Sequence, residues 1–222
     1  MATATRPAQN PPEQRVFLRQ VAWDTYERLL SDEPDRSVPR MAFDQGMLEL
    51  MAPSFEHERI NRTFASLVEL VCDGFGIEFI DAGSMTNRRP DLEKGFEPDT
   101  SYYIEHAADV FDKLRIDATV DPPPDLVIEI DLSSGSMNKL PIYAAMGVPE
   151  VWRYEGERVT ILHLIGESYV ADSRSRALPA LTSDVLARFV VERLFTKRAE
   201  WLQSVQAWIR AQRHANDLGD AE

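Results

Sequence analysis

The sequence predicts an α/β fold, with a mixed central sheet flanked by helices and a C-terminal helical extension. Strand-like runs alternate with helical patterns through residues 21–190. Residues 125–132 (DLVIEIDL) are rich in β-branched side chains and lie between prolines and a Ser-Ser-Gly turn, which is typical of a central strand. From residue 184 to about residue 212, apolar side chains recur with the period of a helix.

Helical patterns cover residues 22–30 with Asp24 as the N-cap, 56–73 with Gly74 as the stop, and 138–146 with Gly147 as the stop. Strand patterns cover residues 38–44, 47–52, 77–82, 99–104, 125–132, 150–154, 158–164 and 169–171. The Gln45-Gly46 and Glu155-Gly156 pairs predict hairpins.

Length and composition predict one globular domain in a chain of 222 residues, of which 44% are apolar. We expect a disordered lead-in (1–20), the domain (21–190), and a C-terminal amphipathic helix and tail (191–222). No apolar run approaches the ~20 residues that span a bilayer, and the N-terminus does not resemble a secretory signal. The single Cys72 excludes an intramolecular disulfide and suits the cytoplasm; its place beside helical apolar positions favours a buried, inert thiol.

The charge balance limits the strength of nucleic-acid binding. The formal net charge is −13, whereas phosphate contacts by basic side chains supply most non-specific affinity for DNA. We therefore expect weak binding to long duplexes. A divalent cation held by carboxylates would reverse the sign of the charge locally.

The central strand carries two acidic side chains on one face. Because side chains alternate along a strand, Glu129 and Asp131 project to the same side as Val127. Carboxylates on an apolar strand are costly to bury without a partner. Lys139, at the start of the next helix, and a hard cation such as Mg²⁺ are both candidates to neutralise them, and the two are compatible.

A third acidic residue, Asp99, follows Pro98 at the start of another predicted strand. If the two strands are neighbours, the Asp99 and Glu129 carboxylates lie close together, which suits a metal site. The alternative is that Pro98-Asp99 opens a strand after a turn, as these residue types often do.

The order and identity of several motifs resemble the PD-(D/E)xK nuclease superfamily and, more narrowly, the Uma2 family of restriction-endonuclease-like proteins. The motifs are the segment 47–54 with Glu56-His57 after it, Glu97-Pro98-Asp99, the strand from Pro124 to Glu129, and the block 139–152 (KLPIYAAMGVPEVW). They extend over most of the chain, and the block 139–152 is the most specific. The resemblance implies a restriction-endonuclease-like core.

The resemblance also implies roles for individual residues. Asp99 and Glu129 match the acidic ligands of a catalytic Mg²⁺ or Mn²⁺, and the carbonyl of Ile130 joins them. Position 131, where the superfamily motif has lysine, is Asp131, and the family takes its lysine from the next helix, here Lys139. Asp131 is open to three interpretations: a further metal ligand, a salt-bridge partner of Lys139, or a solvated strand end.

Three more residues are candidates to line the site. His57 matches a histidine position of the family, and Glu58 is a helix acid beside it; both also suit a helix N-terminus, where acidic residues favour the dipole. Tyr143 lies one turn from Lys139 on the same helix face.

These features together predict a metal-dependent endonuclease acting on DNA. One alternative is a catalytically silent protein that keeps the fold for binding, which the acidic charge and Asp131 favour. Another is a glycosidase using Asp99 and Glu129 as its acid pair. The C-terminal helix is amphipathic and net basic. We expect its apolar face to pack on the core or on a second copy of the chain, which would give a homodimer. The alternative is that its basic side chains contact nucleic acid.

Overall fold

A computed structural model describes residues 13–33, 36–132 and 136–219, with side chains described to residue 215. The strands within these ranges are β1 (Gln14–Leu18), β2 (Arg40–Asp44), β3 (Met47–Ala52), β4 (Ile80–Asp81), β5 (Asn87–Arg89), β6 (Lys94–Phe96), β7 (Thr100–Tyr103), β8 (Leu126–Asp131), β9 (Glu150–Glu155), β10 (Arg158–Ile165) and β11 (Ser168–Asp172). The helices are α1 (Trp23–Asp32), α2 (Phe55–Phe75), α3 (Ala107–Val110), α4 (Leu140–Met146), α5 (Ser183–Phe195) and α6 (Arg198–Gly219), with a 3₁₀ turn at Pro90–Leu92.

The strands form two sheets. The larger has the order β11-β10-β9-β8-β7-β4 and is mixed, since β8 and β9 run parallel and the other neighbours are antiparallel. This confirms the predicted mixed sheet flanked by helices. The smaller sheet, β1-β3-β2-β6-β5, is antiparallel throughout and is an addition that the sequence did not predict. The predicted hairpins β2–β3 and β9–β10 are both present.

Strand β8 lies inside the larger sheet and separates two layers of the core. Ile128 and Ile130 pack in the same buried cluster as Phe64 of α2. Val127, on the opposite face, packs with Ile142 of α4. The alternation predicted for this strand is therefore present, and it directs Glu129 toward α4.

Helix α2 extends beyond its predicted end. The hydroxyl oxygen of Ser54 caps its N-terminus by accepting from the backbone N–H of His57 at 3.2 Å. Gly74, the predicted stop, lies inside the helix, and the left-handed cap is Gly76, with φ of 68°. Gly74 has a packing role instead, because a Cβ there would lie 2.6 Å from Ile209 of α6.

Three further local predictions are wrong. Gln14–Leu18, placed in the disordered lead-in, form β1 because all five residues pair with β3, a partner that no local pattern reveals; residues 1–12 lie outside the described residues. Ala22, not Asp24, is the N-cap of α1, and Asp24 lies in its first turn. The strand expected over residues 77–82 is limited to β4, where two residues pair with β7.

The C-terminal segment forms two helices rather than one. Helix α5 ends at Phe195, and the backbone of its C-cap, Thr196, is extended. The N–H and the hydroxyl of Thr196 both donate to the carbonyl of Glu192. The apolar stripe of α6 packs on α2 and α5, with Trp201, Val205 and Ile209 buried in the main core. Docking on the chain's own core is thus confirmed, and the stripe is not free to form a dimer interface.

No described helix combines the length and the apolar character needed to cross a lipid bilayer.

Cys72 is fully buried in α2, and burial raises the pKa of its thiol to about 12. Because the thiolate is the reactive form, we expect Ellman's reagent to leave the native protein unmodified at mildly alkaline pH. In denaturant the single thiol should react completely. Rapid modification of folded protein would contradict the buried placement.

Candidate active site

Of the two predicted metal-binding carboxylates, Asp99 directly precedes β7 and Glu129 lies in the neighbouring strand β8. Thr100 of β7 pairs with Ile128 of β8 in the antiparallel register. One step further along this register, Asp99 lies opposite Glu129, where side chains of directly paired residues are close. The backbone N–H of Ile130 donates to Asp99 Oδ2 at 2.7 Å, which ties the two strand ends together.

Asp99 is buried and held by cationic partners. Its Oδ1 accepts from a guanidinium nitrogen of Arg40 and from His57 Nε2, the latter at 2.8 Å. Burial opposes ionisation of the carboxyl, but the His57 hydrogen bond and the charges of His57 and Arg40 outweigh it and hold the pKa of Asp99 well below its usual value. Asp99 is therefore a carboxylate at neutral pH.

His57 lies between two carboxylates at the start of α2. Its Nδ1 is 3.0 Å from Glu13 Oε2, and its Nε2 contacts Asp99. Burial lowers the pKa of this imidazole, but the hydrogen bonds to Asp99 and Glu13 raise it more, to about 9. The ring is thus an imidazolium that donates from both nitrogens. The predicted site-lining histidine does contact the site.

Glu129 accepts hydrogen bonds from Lys139 and Tyr143, the two candidate residues of the helix that follows. Lys139, directly before α4, donates from Nζ to Glu129 Oε2 at 2.7 Å, and the Tyr143 hydroxyl donates to Oε1. Burial raises the pKa of Glu129, and Asp99 adds to that rise against the lowering effect of Lys139. The site therefore brings Asp99, Glu129, Lys139 and Tyr143 together in one network.

The network opens into a cleft of about 240 Å³. Glu129, Lys139 and Tyr143 line one part of it, and Arg15 and Arg153 line another. Arg153 pairs with Glu129 in the parallel β8–β9 register. Arg153 is half-exposed and borders the acidic residues where the cleft meets solvent, whereas Arg15 is largely buried in ion pairs with Glu13 and Glu49.

The remaining two candidates lie at the edge of the network. The Asp131 carboxylate accepts from the Ser136 hydroxyl at 2.5 Å and lies 3.9 Å from Arg15, whereas Lys139 pairs with Glu129. The interpretation of Asp131 as the salt-bridge partner of Lys139 is thus wrong, because the Lys139 ammonium forms its ion pair with Glu129. Glu58 accepts from Arg40 at 2.7 Å and reaches Asp99 only through that guanidinium.

A family model named Uma2, described as "putative restriction endonuclease", matches residues 23–192. The chain belongs to the Uma2 family. Among solved structures, a protein from Anabaena variabilis ATCC 29413, titled a "putative nuclease belonging to DUF820", is 15% identical with a TM-score of 0.52; the match covers 77% of this chain and 99% of that one. This likeness shows a shared fold and confirms the predicted α/β class. No curated protein matches the chain.

Several polar residues of this Uma2 site were not predicted from the sequence. The Arg40 guanidinium donates a hydrogen bond to Asp99. Glu49 is buried in β3 and accepts hydrogen bonds from Arg15 at 2.5 Å and from the backbone N–H of Met137 at 2.6 Å. Glu49 interrupts the apolar run Met-Leu-Glu-Leu-Met, the same signal that identified Glu129, and could have been found in this way. Arg40 and Glu13 carry no such local signal.

The donor chemistry fits the divalent ion that the family resemblance implies. Asp99 and Glu129 are hard oxygen donors that lie opposite each other, and the Ile130 carbonyl is adjacent along the chain. Within residues 13–33, 36–132 and 136–219, no three His, Cys, Asp or Glu side chains are grouped to hold an ion. Mg²⁺ accepts as few as one or two carboxylates because it retains water ligands, so this donor set suffices.

Proposed function

We propose that this Uma2 protein is a metal-dependent endonuclease that hydrolyses phosphodiester bonds of DNA with Mg²⁺ or Mn²⁺. One observation carries the proposal. The Lys139 ammonium lies 2.7 Å from Glu129 Oε2, both side chains are largely buried, and Asp99 directly precedes the adjacent strand. An ammonium beside paired carboxylates is the minimal set of groups for phosphodiester hydrolysis.

The residues take different roles in this proposal. Asp99 and Glu129, with the Ile130 carbonyl, would hold the ion, which when bound offsets phosphate charge and lowers the pKa of water. Lys139 orients the attacking water or stabilises the charge that develops on the phosphate. Arg40 and His57 keep Asp99 ionised and fix its orientation.

A catalytically silent binding protein is the second candidate. One observation favours it: each carboxylate oxygen of Asp99 and Glu129 already accepts a hydrogen bond from the protein. In that case the network would stabilise the fold, and no ion or water would need access to it.

Nicking of supercoiled plasmid distinguishes these candidates. We expect the wild-type protein to convert plasmid to open circles in Mg²⁺ or Mn²⁺ and to stop when EDTA is added. Glu129→Gln, which keeps the side-chain volume but removes the charge, should be inactive. Glu155→Gln, an exposed change on the neighbouring strand, should retain activity.

Equal nicking by wild-type and Glu129→Gln proteins would indicate a contaminating nuclease and contradict the proposal. Absence of nicking by folded wild-type protein on plasmid and on linear duplex, in both metals, would favour the silent protein.

A further inference from the structure

A second and larger cleft borders the site at Arg40. Its volume is about 770 Å³, and it lies between the loop before β2, the loop joining β4 to β5, and the loop after α3. We call it the arginine cleft, defined by the four arginines that line it, which are Arg36, Arg40, Arg88 and Arg115. A cavity of about 470 Å³ continues from it along Arg88 and Arg115.

The arginine cleft is basic although the chain as a whole is acidic. Four arginines line it against one carboxylate, Glu97, whereas the whole chain carries a formal charge of −13. Glu97 is already engaged, because it accepts from Arg36 at 3.0 Å, from the Met41 N–H at 2.8 Å and from the Thr86 hydroxyl at 2.6 Å. Arg40 is also paired, with Asp99 and Glu58, so the positive charge left for a ligand is that of Arg88 and Arg115.

Two of the arginines are accessible to a ligand. The Arg88 side chain is 49% exposed and lies 3.6 Å from Glu27, an ion pair that is weak because both partners are exposed to water. Arg115 is exposed, and it forms no ion pair with any residue in the described part of the chain. The hydroxyl groups of Ser37 and Ser84 line the same cleft, whereas the Thr86 hydroxyl is occupied by its hydrogen bond to Glu97.

Arg40 connects the arginine cleft to the candidate active site. It lines the cleft and donates to Asp99 from the same guanidinium. A chain of phosphates lying on Arg88 and Arg115 would therefore lead toward Asp99. Guanidinium groups bind phosphate oxygens through paired, charge-assisted hydrogen bonds, and serine hydroxyls add further donors.

We infer that the arginine cleft binds the sugar-phosphate backbone of a nucleic acid and guides it to the site. This inference rests on the proposed nuclease function. It also explains how a strongly acidic protein holds a polyanion: the negative surface repels the nucleic acid elsewhere, and the cleft is where attraction is concentrated. Recognition of the backbone carries no base sequence.

The competing surface is the basic C-terminal helix. Two of its arginines make contacts within the chain, Arg198 to the Ser66 hydroxyl and Arg213 to the Gly74 carbonyl. Arg210 is exposed to solvent, so it is the residue of this helix chosen to test the competing surface.

Fluorescence anisotropy tests the inference without cleavage. Full-length protein would be titrated onto a short fluorescein-labelled duplex in EDTA at several salt concentrations. The double variant Arg88→Glu/Arg115→Glu is expected to raise Kd at least about tenfold and to reduce the slope of log K against log salt by about 1.8, since each lost phosphate contact removes about 0.9. The matched control Arg158→Glu/Arg210→Glu makes the same charge change on β10 and α6.

Circular dichroism would establish that both variants are folded. Equal losses in the two double variants would mean that net charge alone is responsible, and a loss confined to the control would transfer binding to the surface that carries Arg158 and Arg210; either result overturns the inference. Plasmid nicking by the wild-type protein is scored separately. Cleft-dependent binding without nicking would contradict the nuclease function and support the cleft, whereas nicking with unchanged binding in the cleft variant would contradict the cleft alone.

Discussion

Replacement of Lys139 by methionine is expected to reduce plasmid nicking by at least about 100-fold, since removal of one preorganised group that stabilises transition-state charge costs about 10²- to 10³-fold in rate. Methionine keeps the length and apolar stem of lysine but removes the ammonium that donates to Glu129. Burial already raises the pKa of Glu129, so loss of the ammonium promotes its protonation rather than leaving a bare charge. We therefore expect the variant to fold.

Lys94→Met is the matched control for this change. Lys94 also forms an ion pair with a carboxylate, that of Asp44, but the pair lies in the smaller sheet away from Glu129. Nicking rates at saturating Mg²⁺, measured beside duplex affinity in EDTA, would separate loss of chemistry from loss of binding. Equal rates in Lys139→Met and wild-type protein would remove Lys139 from the catalytic machinery.

The part of the site that the sequence predicts comes from local pattern and from the resemblance to the Uma2 family. Glu129 stands out because it interrupts an apolar strand, whereas Lys139, at the start of the next helix, is assigned mainly by the resemblance. Lys139 lies ten residues after Glu129, and the two side chains form an ion pair. The assignment of Asp99 needed one further assumption, that its strand neighbours β8, and the β7–β8 register shows that it does.

The rest of the site depends on contacts that are distant along the chain. Arg40 reaches Asp99 across 59 positions, and Glu13 reaches His57 across 44. Neither residue interrupts an apolar pattern of its own, so no local signal marks it. The N-terminal strand β1 was missed for the same reason, because its order comes from pairing with β3 and not from its composition.

The same distinction between local pattern and distant contacts explains why the end of α2 and the break between α5 and α6 were not predicted. Gly74 was predicted to end α2 because glycine often terminates helices, yet Gly74 lies inside the helix, where its lack of a side chain allows the close approach of Ile209 from α6. The break between α5 and α6 at Thr196 lies within a continuous apolar stripe, so helical periodicity alone does not reveal it.

The second large effect is expected for stability and concerns Arg40. Arg40→Met should lower the free energy of unfolding by about 3–5 kcal/mol, the usual loss when one partner of a buried ion pair is removed. Arg40 contacts both Asp99 and Glu58, and Asp99 is almost completely buried. Without the guanidinium, Asp99 depends on His57 and the Ile130 N–H for compensation of its charge.

Urea unfolding followed by far-ultraviolet circular dichroism would measure this loss, with Arg88→Met as the matched control. The Arg88–Glu27 pair is exposed, and its removal should cost less than about 1 kcal/mol. A loss of similar size in the two variants would mean that His57 alone neutralises Asp99. The charge on the imidazolium, rather than the guanidinium, would then hold β7 and β8 in the register that places Asp99 opposite Glu129.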